Sequence, residues 1–389
     1  MTAGCPLCQS PDVAAFLERR AMPVHQNLIM PDERSARDAR RADLKMAVCH
    51  RCGYVFNATF DLSMLSYGAE YDNTQTCSPY FASYVGELAR YLIAEKNVKH
   101  CTIVEVGSGK GGFLRSLVRD PEDGNTGLGF DPSHEGPLEE LDGRLKFHRG
   151  YYGPEWSTLK ADVVVSRHVI EHIPMPTTLL DSVRAALSSS PRARVFFETP
   201  CVEWILRRKV VWDFFYEHCS LFSPLSIRSA FEASGFRVDD VRHVFDEQYL
   251  WVEATVSPEP IDVKYEAGAI PQLASEFAVA ETNLTESWRQ WICSAAATGP
   301  VAIWGAGAKG ATFSNLVDPK RELIRCVIDL NPRKQGCFIG GTGHPIVDYR
   351  AISTMGIGTV LMMNPNYLSE CRELLKRAGI RANLVSTER

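Results

Sequence analysis

The 389-residue sequence lacks several features, and each absence narrows its chemistry. No stretch approaches the roughly 20 consecutive apolar residues of a membrane span, and the opening Met1-Thr2-Ala3-Gly4-Cys5 carries no apolar leader. Neither sign of charge dominates. The 42 Lys and Arg stand against 47 Asp and Glu, and a net charge of -5 gives no general attraction to nucleic acid or to an anionic membrane. No internal repeat or low-complexity tract is present, and a hydrophobic content of 45% is too high for a disordered chain. We therefore expect a soluble cytoplasmic protein of two or three packed domains whose partner is a small molecule.

Cysteine, by contrast, is plentiful, with 12 residues, and without a secretion signal these read as thiols or metal ligands rather than disulfides. Cys5-x-x-Cys8 and Cys49-x-x-Cys52 form two knuckles, each able to wrap two thiolates around one tetrahedral ion. Four sulfurs at this spacing suit structural zinc, Zn2+. Gly53 permits a tight turn after the second knuckle, and Tyr54-Val55-Phe56 reads as a short strand. The competing reading is a set of unbound thiols or a redox pair, and His25 and His50 stand as substitute ligands. A four-thiolate site has no open position, so this ion is expected to hold structure and not perform chemistry. The first 65 or so residues, with the charged run "PDERSARDARRADLK", are expected to fold only around it.

Two glycine loops follow. In "CTIVEVGSGKGGFLRSL" an apolar strand turns through glycines into a helix. Gly107, Gly109 and Gly112 satisfy GxGxxG, while Glu105, Gly107, Gly109 and Gly111 satisfy the acidic-x-Gly-x-Gly-x-Gly pattern similar to that of S-adenosylmethionine (SAM) methyltransferases. Glycine spacing alone does not choose between dinucleotide and SAM. The next strand, "TGLGFDPS", ends in Asp131, placed to accept ribose hydroxyls. "ADVVVSRHVIEHIP" resembles the fourth strand and turn of class I methyltransferases, which sets Arg167 and His168 beside the cofactor. "FHRGYYGPEW" lacks the usual acidic adenine contact, leaving Tyr151 as a stacking candidate. The second loop, "VAIWGAGAKGATFSNLV", supplies Gly305, Gly307 and Gly310, with Asp329 downstream. Taken alone it is a dinucleotide fingerprint, so NAD stays open there, as does a plain turn role for Asp329.

The four cysteines, "YDNTQTCSPYF", "VEVGSGKGGFL", "SRHVIEHI", the "YEH" segment and "WGAGAKG...VIDLNPRKQGCFIGGTGHPI" together resemble the bacterial sugar C-methyltransferase family that acts on nucleotide-linked 4-ketosugars. The resemblance covers essentially the whole chain. It implies SAM as methyl donor, a nucleotide-linked sugar held between the central and C-terminal domains, and a place in secondary metabolism. The fold expected is α/β: a class I Rossmann-like core with a small N-terminal zinc-binding domain and a second, C-terminal Rossmann-like domain. The boundaries expected are 1–65, 66–260 and 261–389, the last opening with helical spacing over 266–297 as one long helix or two short ones. Two departures put the acceptor in question. Phe215 stands where the family has a tyrosine, and "YDNTQTCSPYF" differs from the family's tyrosine- and serine-rich version.

A carbon beside a ketone is a weak acid, so its methylation needs a positioned base. In "FFYEHC" we expect His218 to be that base, Glu217 to orient it or touch substrate, and Tyr216 or Tyr71 to hydrogen-bond the enolate oxygen. His172 is the second candidate base. The bland alternative makes the aromatics of 212–222 core, His218 an interior histidine and His168 a brace for its turn. Tyr71, Asp72, Asn73 and Gln75 form a polar cluster suited either to substrate or to an ordinary loop. Rival functions are an O- or N-methyltransferase of another metabolite, a non-catalytic binding or scaffold protein and, more remotely, an NAD-dependent oxidoreductase.

Overall fold

The computed structural model describes residues 4–68, 70–156 and 158–387. Near the N-terminus three antiparallel strands, β1 (Val13–Pro23), β2 (Arg41–Cys49) and β3 (Val55–Asn57), follow the first knuckle and flank the second. Helix Pro79–Ala94 then leads into the central sheet. It starts where Ser78 accepts the Phe81 amide and Pro79 sits in the first turn, and it buries Phe81, Val85, Leu88 and Leu92 along one face.

The central sheet is built from β4 (Thr102–Val106), β5 (Thr126–Phe130), β6 (Glu139–Glu140), β7 (Leu145–His148), β8 (Val163–Arg167) and β9 (Arg194–Pro200). A short β10 (Ser220–Leu221) leaves for the N-terminal sheet, and β11 (Phe236–Val244) and β12 (Tyr249–Val256) return as a hairpin. The spatial order is β11-β12-β9-β8-β4-β5-β7-β6. The parallel β7-β5-β4-β8-β9 run has β12 antiparallel at its edge, and the order reverses beside β4. β4 and β8 are almost wholly buried, as helix-covered parallel strands must be. Ligands of such sheets bind at the carboxyl ends of the strands at that reversal, where the first glycine loop lies.

The stretch expected as one helix or two is a single helix, Ile270–Thr298. It leads to a parallel sheet of β13 (Val301–Trp304), β14 (Ile324–Ile328), β15 (Ile346–Val347), β16 (Thr359–Met362) and β17 (Asn383–Ser386), ordered β15-β14-β13-β16-β17. The class is thus α/β with two Rossmann-like sheets. Its N-terminal sheet is not closed by its own segment: Ser220 and Leu221 of β10 pair antiparallel with Phe56 and Val55 of β3, and the Tyr54 hydroxyl donates to Ser220 Oγ. Among the described residues no helix is long and apolar enough to cross a membrane.

Candidate active site

The four cysteines of the two knuckles are buried together, with Cys5 Sγ 3.6 Å from Cys52 Sγ and Cys8 Sγ 3.5 Å from Cys49 Sγ. A tetrahedron with zinc–sulfur bonds of about 2.3 Å has edges of about 3.8 Å, so the cluster fits a zinc ion after an outward movement of a few tenths of an ångström. Neither histidine offered as a substitute ligand belongs to this group: His50 is exposed, and His25 points toward Glu217.

At the first glycine loop Gly107, Gly109 and Gly111 have φ of +74°, +53° and +77°, a region that favours glycine. A side chain on Gly107 would strike Val169 and one on Gly111 would strike Phe147, whereas the Gly109 position faces open space and leaves a cradle for a ligand. Asp131, at the end of β5, accepts the Gly109 amide at 2.7 Å and the Ser133 amide at 2.8 Å. Asp329, past the end of β14, repeats this on the second loop, accepting from Ala306 at 2.7 Å and from Asn331 at 2.8 Å. Both acids therefore brace their loops. Glu105 is 3% exposed and accepts the Leu114 amide at 3.1 Å, and burial pushes its carboxyl up to about 8.

A cavity of about 230 Å3 separates the central and C-terminal sheets. His168, Glu171, His172, Phe215 and His218 form one wall. Trp304, the loop Gly305–Gly310, Met363 and Tyr367 form the opposite one, and Tyr71, Asn73 and Gln75 lie between. Two contacts close it: Lys309 pairs with Asp213, and Gln248 exchanges hydrogen bonds with Asn364.

Residues 80–241 match the family described as "Methyltransferase domain", and residues 271–382 match "C-methyltransferase C-terminal domain". The chain is 26% identical over 372 residues to the C-methyltransferase NovU of Streptomyces niveus, spanning 88% of this chain and 84% of NovU. This chain is a SAM-dependent methyltransferase. Its domain composition is that of the multi-domain C-methyltransferases. Among solved structures it is similar to an O-methyltransferase family protein of Burkholderia thailandensis (14% identity, TM-score 0.36, 46% of this chain and 57% of that one). It is also similar to human N-acetylserotonin methyltransferase in complex with SAM (13% identity, TM-score 0.35, 46% and 55%).

Several side chains of the methyltransferase stand elsewhere than the sequence led us to expect. Tyr216 is fully buried away from the cavity; its ring packs on Phe60 and its hydroxyl accepts the Asp61 amide at 2.9 Å. Arg167 is sequestered, pairing with Glu198 at 2.9 Å and lying over the Phe113 ring, so it is not open to a cofactor. Tyr151 is 60% exposed. Asp72 is a buried brace, accepting from Lys110 of the glycine loop at 3.0 Å and from Asn331 at 3.1 Å, and so ties the first loop to the C-terminal sheet. Glu217 turns away from His218: its Oε1 accepts the Gln26 amide at 2.6 Å and its Oε2 accepts the Tyr71 hydroxyl at 2.8 Å. The Tyr71 proton is therefore already given to a carboxylate.

His172 and His218 meet edge to face with ring centroids 4.9 Å apart, and His172 Nδ1 lies 3.2 Å from the Tyr67 hydroxyl. His218 also packs against Phe215 at a tilt of 44°, with centroids 4.0 Å apart, and among the described residues its ring nitrogens make no hydrogen bond. Burial, with the charges of His172, His168 and Lys309, holds its pKa well below the usual histidine value, so it is neutral near pH 7. His168 is the opposite case. Its backbone has φ +57°, and its ring bridges Glu171 at 3.3 Å and Glu198 at 2.7 Å. Burial alone would lower its pKa, but the two carboxylates raise it to about 9. Glu171 and Glu198, which anchor this arrangement, were not singled out as site residues. Glu171 lies inside the quoted "SRHVIEHI", whereas Glu198 in β9 alternates among core residues and gave no local signal.

Proposed function

We propose that this protein transfers a methyl group from SAM to the carbon beside the ketone of a nucleotide-linked 4-ketosugar or a related activated metabolite. The observation that carries the reading is His218: a neutral imidazole on the cavity wall with neither nitrogen hydrogen-bonded among the described residues, which is the state a general base needs. Bound SAM would supply an electrophilic methyl group. Gly107, Gly109 and Gly111 with Asp131 and Glu105 are the residues that would hold it, at the strand ends next to the His168–His172 turn.

His218 takes the α proton, and the electron pair of the broken C–H bond forms the enolate, whose carbon then accepts the methyl group. The proton stays on His218 until solvent removes it. His172, held through Nδ1 by Tyr67, lines the cavity and is the candidate to donate to the enolate oxygen or to serve as the alternative base. The Tyr71–Glu217 pair fixes the wall beside them. The C-terminal loop Gly305–Gly310, with Trp304 and Tyr367, faces this wall across the cavity and would receive the activating group of the substrate.

Methylation of oxygen or nitrogen is the rival, favoured by one observation: Phe215 covers His218 where the sugar enzymes have a tyrosine hydroxyl. The test is mass spectrometry of purified protein with methyl-labelled SAM and a panel of nucleotide-linked 4-ketosugars in deuterated water. Label on a ring carbon, with deuterium entering the α position of substrate not yet methylated, supports the proposal. Label on an oxygen or nitrogen, without deuterium exchange, establishes the rival.

A further inference from the structure

The segment carrying Glu217 and His218 is enclosed by the cysteine-cluster region. It runs directly into β10, which pairs with β3, and β3 begins three residues after Cys52. On its other side stands His25, two residues past the end of β1 and only 8% exposed. The Ser66 amide donates to His25 Nε2 at 3.1 Å. A ring nitrogen that accepts carries no proton, so His25 is the neutral tautomer with its hydrogen on Nδ1. That Nδ1 makes no hydrogen bond of its own and faces Glu217 Oε1 at 3.6 Å, beside the Gln26 amide that already donates to the same oxygen. The other oxygen of Glu217 accepts from Tyr71, and the His25 ring packs edge-on against both Tyr67 and Tyr71.

We propose that His25 is a positioning residue for methyl transfer: its Nδ1–H, with the Gln26 amide, fixes the Glu217 carboxylate so that Glu217 holds the Tyr71 hydroxyl at the cavity wall. The N-terminal region is then part of the reacting site and not only a scaffold beside it. The contact is 3.6 Å, longer than a formed hydrogen bond, so the proposal requires it to shorten by about half an ångström when the cavity fills. His25 touches neither substrate nor cofactor in this scheme. It acts through Glu217 and Tyr71, and the inference rests on the reading that these line the acceptor site.

The experiment labels tyrosine with 13C at Cζ in the full-length protein and assigns the Tyr71 resonance with Tyr71→Phe. In His25→Phe, which keeps a ring but no donor, the Tyr71 resonance moves, whereas in His25→Gln, which restores an N–H, it returns toward the wild-type position. In a Glu217→Gln background the His25→Phe change adds nothing. Equilibrium SAM binding is followed alongside; if His25→Phe fails to bind SAM, His25→Leu against His25→Gln makes the same comparison. With an accepted 4-ketosugar, kcat of His25→Phe falls ~10-fold to ~100-fold while SAM affinity holds, the size expected of a misplaced wall. A Tyr71 resonance unmoved in a donor-less variant that still binds SAM overturns the proposal. A wild-type protein that methylates none of the 4-ketosugars defeats the functional reading instead, and the Tyr71 resonance still decides the role of His25.

Discussion

Replacing Glu198 by glutamine tests the electrostatics of the reacting wall most directly. The carboxylate is 1% exposed; it accepts from Arg167 at 2.9 Å and from the Tyr84 hydroxyl, and it is ion-paired with His168 Nε2 at 2.7 Å. Burial pushes its pKa up, but Arg167, His168 and Tyr84 outweigh that and hold it at about 2. Against an ordinary value near 4.5, that is about 2.5 units, or about 3 kcal/mol. His168, raised to about 9 from 6.5, gives a similar figure. The two do not add, because the Glu198–His168 contact enters both. We therefore expect Glu198→Gln to cost about 3–5 kcal/mol at pH 7, the range for leaving a buried charge without its partner. The signs set the pH profile. The depressed Glu198 contributes fully above about pH 4.5 and loses its contribution as pH falls toward 2. The raised His168 contributes fully below about pH 6.5 and loses its contribution as pH rises through 9. Wild-type stability by urea unfolding should thus decline between pH 7 and 9.5, and the decline should be shallower in Glu198→Gln. A loss under about 1 kcal/mol at pH 7, or a His168 imidazole that titrates near its ordinary value by NMR, would refute the reasoning.

Other perturbations separate the remaining claims. Cys52→Ser, or chelation of the wild type, should release one zinc per chain by elemental analysis and expose the β3–β10 seam to protease; an intact seam after metal loss would show that the cluster does not hold it. His218→Asn should keep SAM affinity by calorimetry and lose turnover by about 100-fold or more, while normal turnover would remove it as the base. Glu105→Gln should be tolerated, because Gln can still accept the Leu114 amide. An acid raised to about 8 makes the fold lose stability as pH rises from about 4.5 to 8, so the variant should gain up to about 5 kcal/mol at pH 8. Loss of stability in this variant would mean that Glu105 is ionised in the fold.

Much of the architecture was legible because it is carried by local signals. Strand-glycine-helix junctions announced both parallel sheets, and knuckle spacing announced the cysteine cluster, since each depends on a few adjacent residues with fixed backbone demands. The site was less legible because its side-chain directions are set by long-range pairing. Tyr216 and His218 lie two positions apart, yet β10 joins the N-terminal sheet, so Tyr216 packs against Phe60 while His218 turns to the cavity. Nothing near His25 shows that it meets Glu217, 192 positions later, since that contact exists only once β1 and β10 share a sheet. In sequence Asp72 forms one polar cluster with Tyr71, Asn73 and Gln75, and those three do line the cavity, but Lys110 and Asn331 from two other regions draw Asp72 inward.

The same pairing bears on the acceptor. Deprotonating a ketone needs a base whose proton affinity is low enough to leave it neutral at pH 7 and high enough to take the proton as the enolate forms. His218 alone has the first property and is weak in the second, because burial and the nearby cations disfavour its protonated form. A substrate carrying a nucleoside diphosphate would reverse this. Its negative charge in a cavity that already contains Lys309 and borders Lys334 would raise the His218 pKa on binding, so the base would strengthen only when substrate is present. The kcat profile should then fall on the acid side at a higher pH than His218 shows by NMR in the free protein. Coincident values would mean that the acceptor brings no such charge, and would move the search to uncharged metabolites.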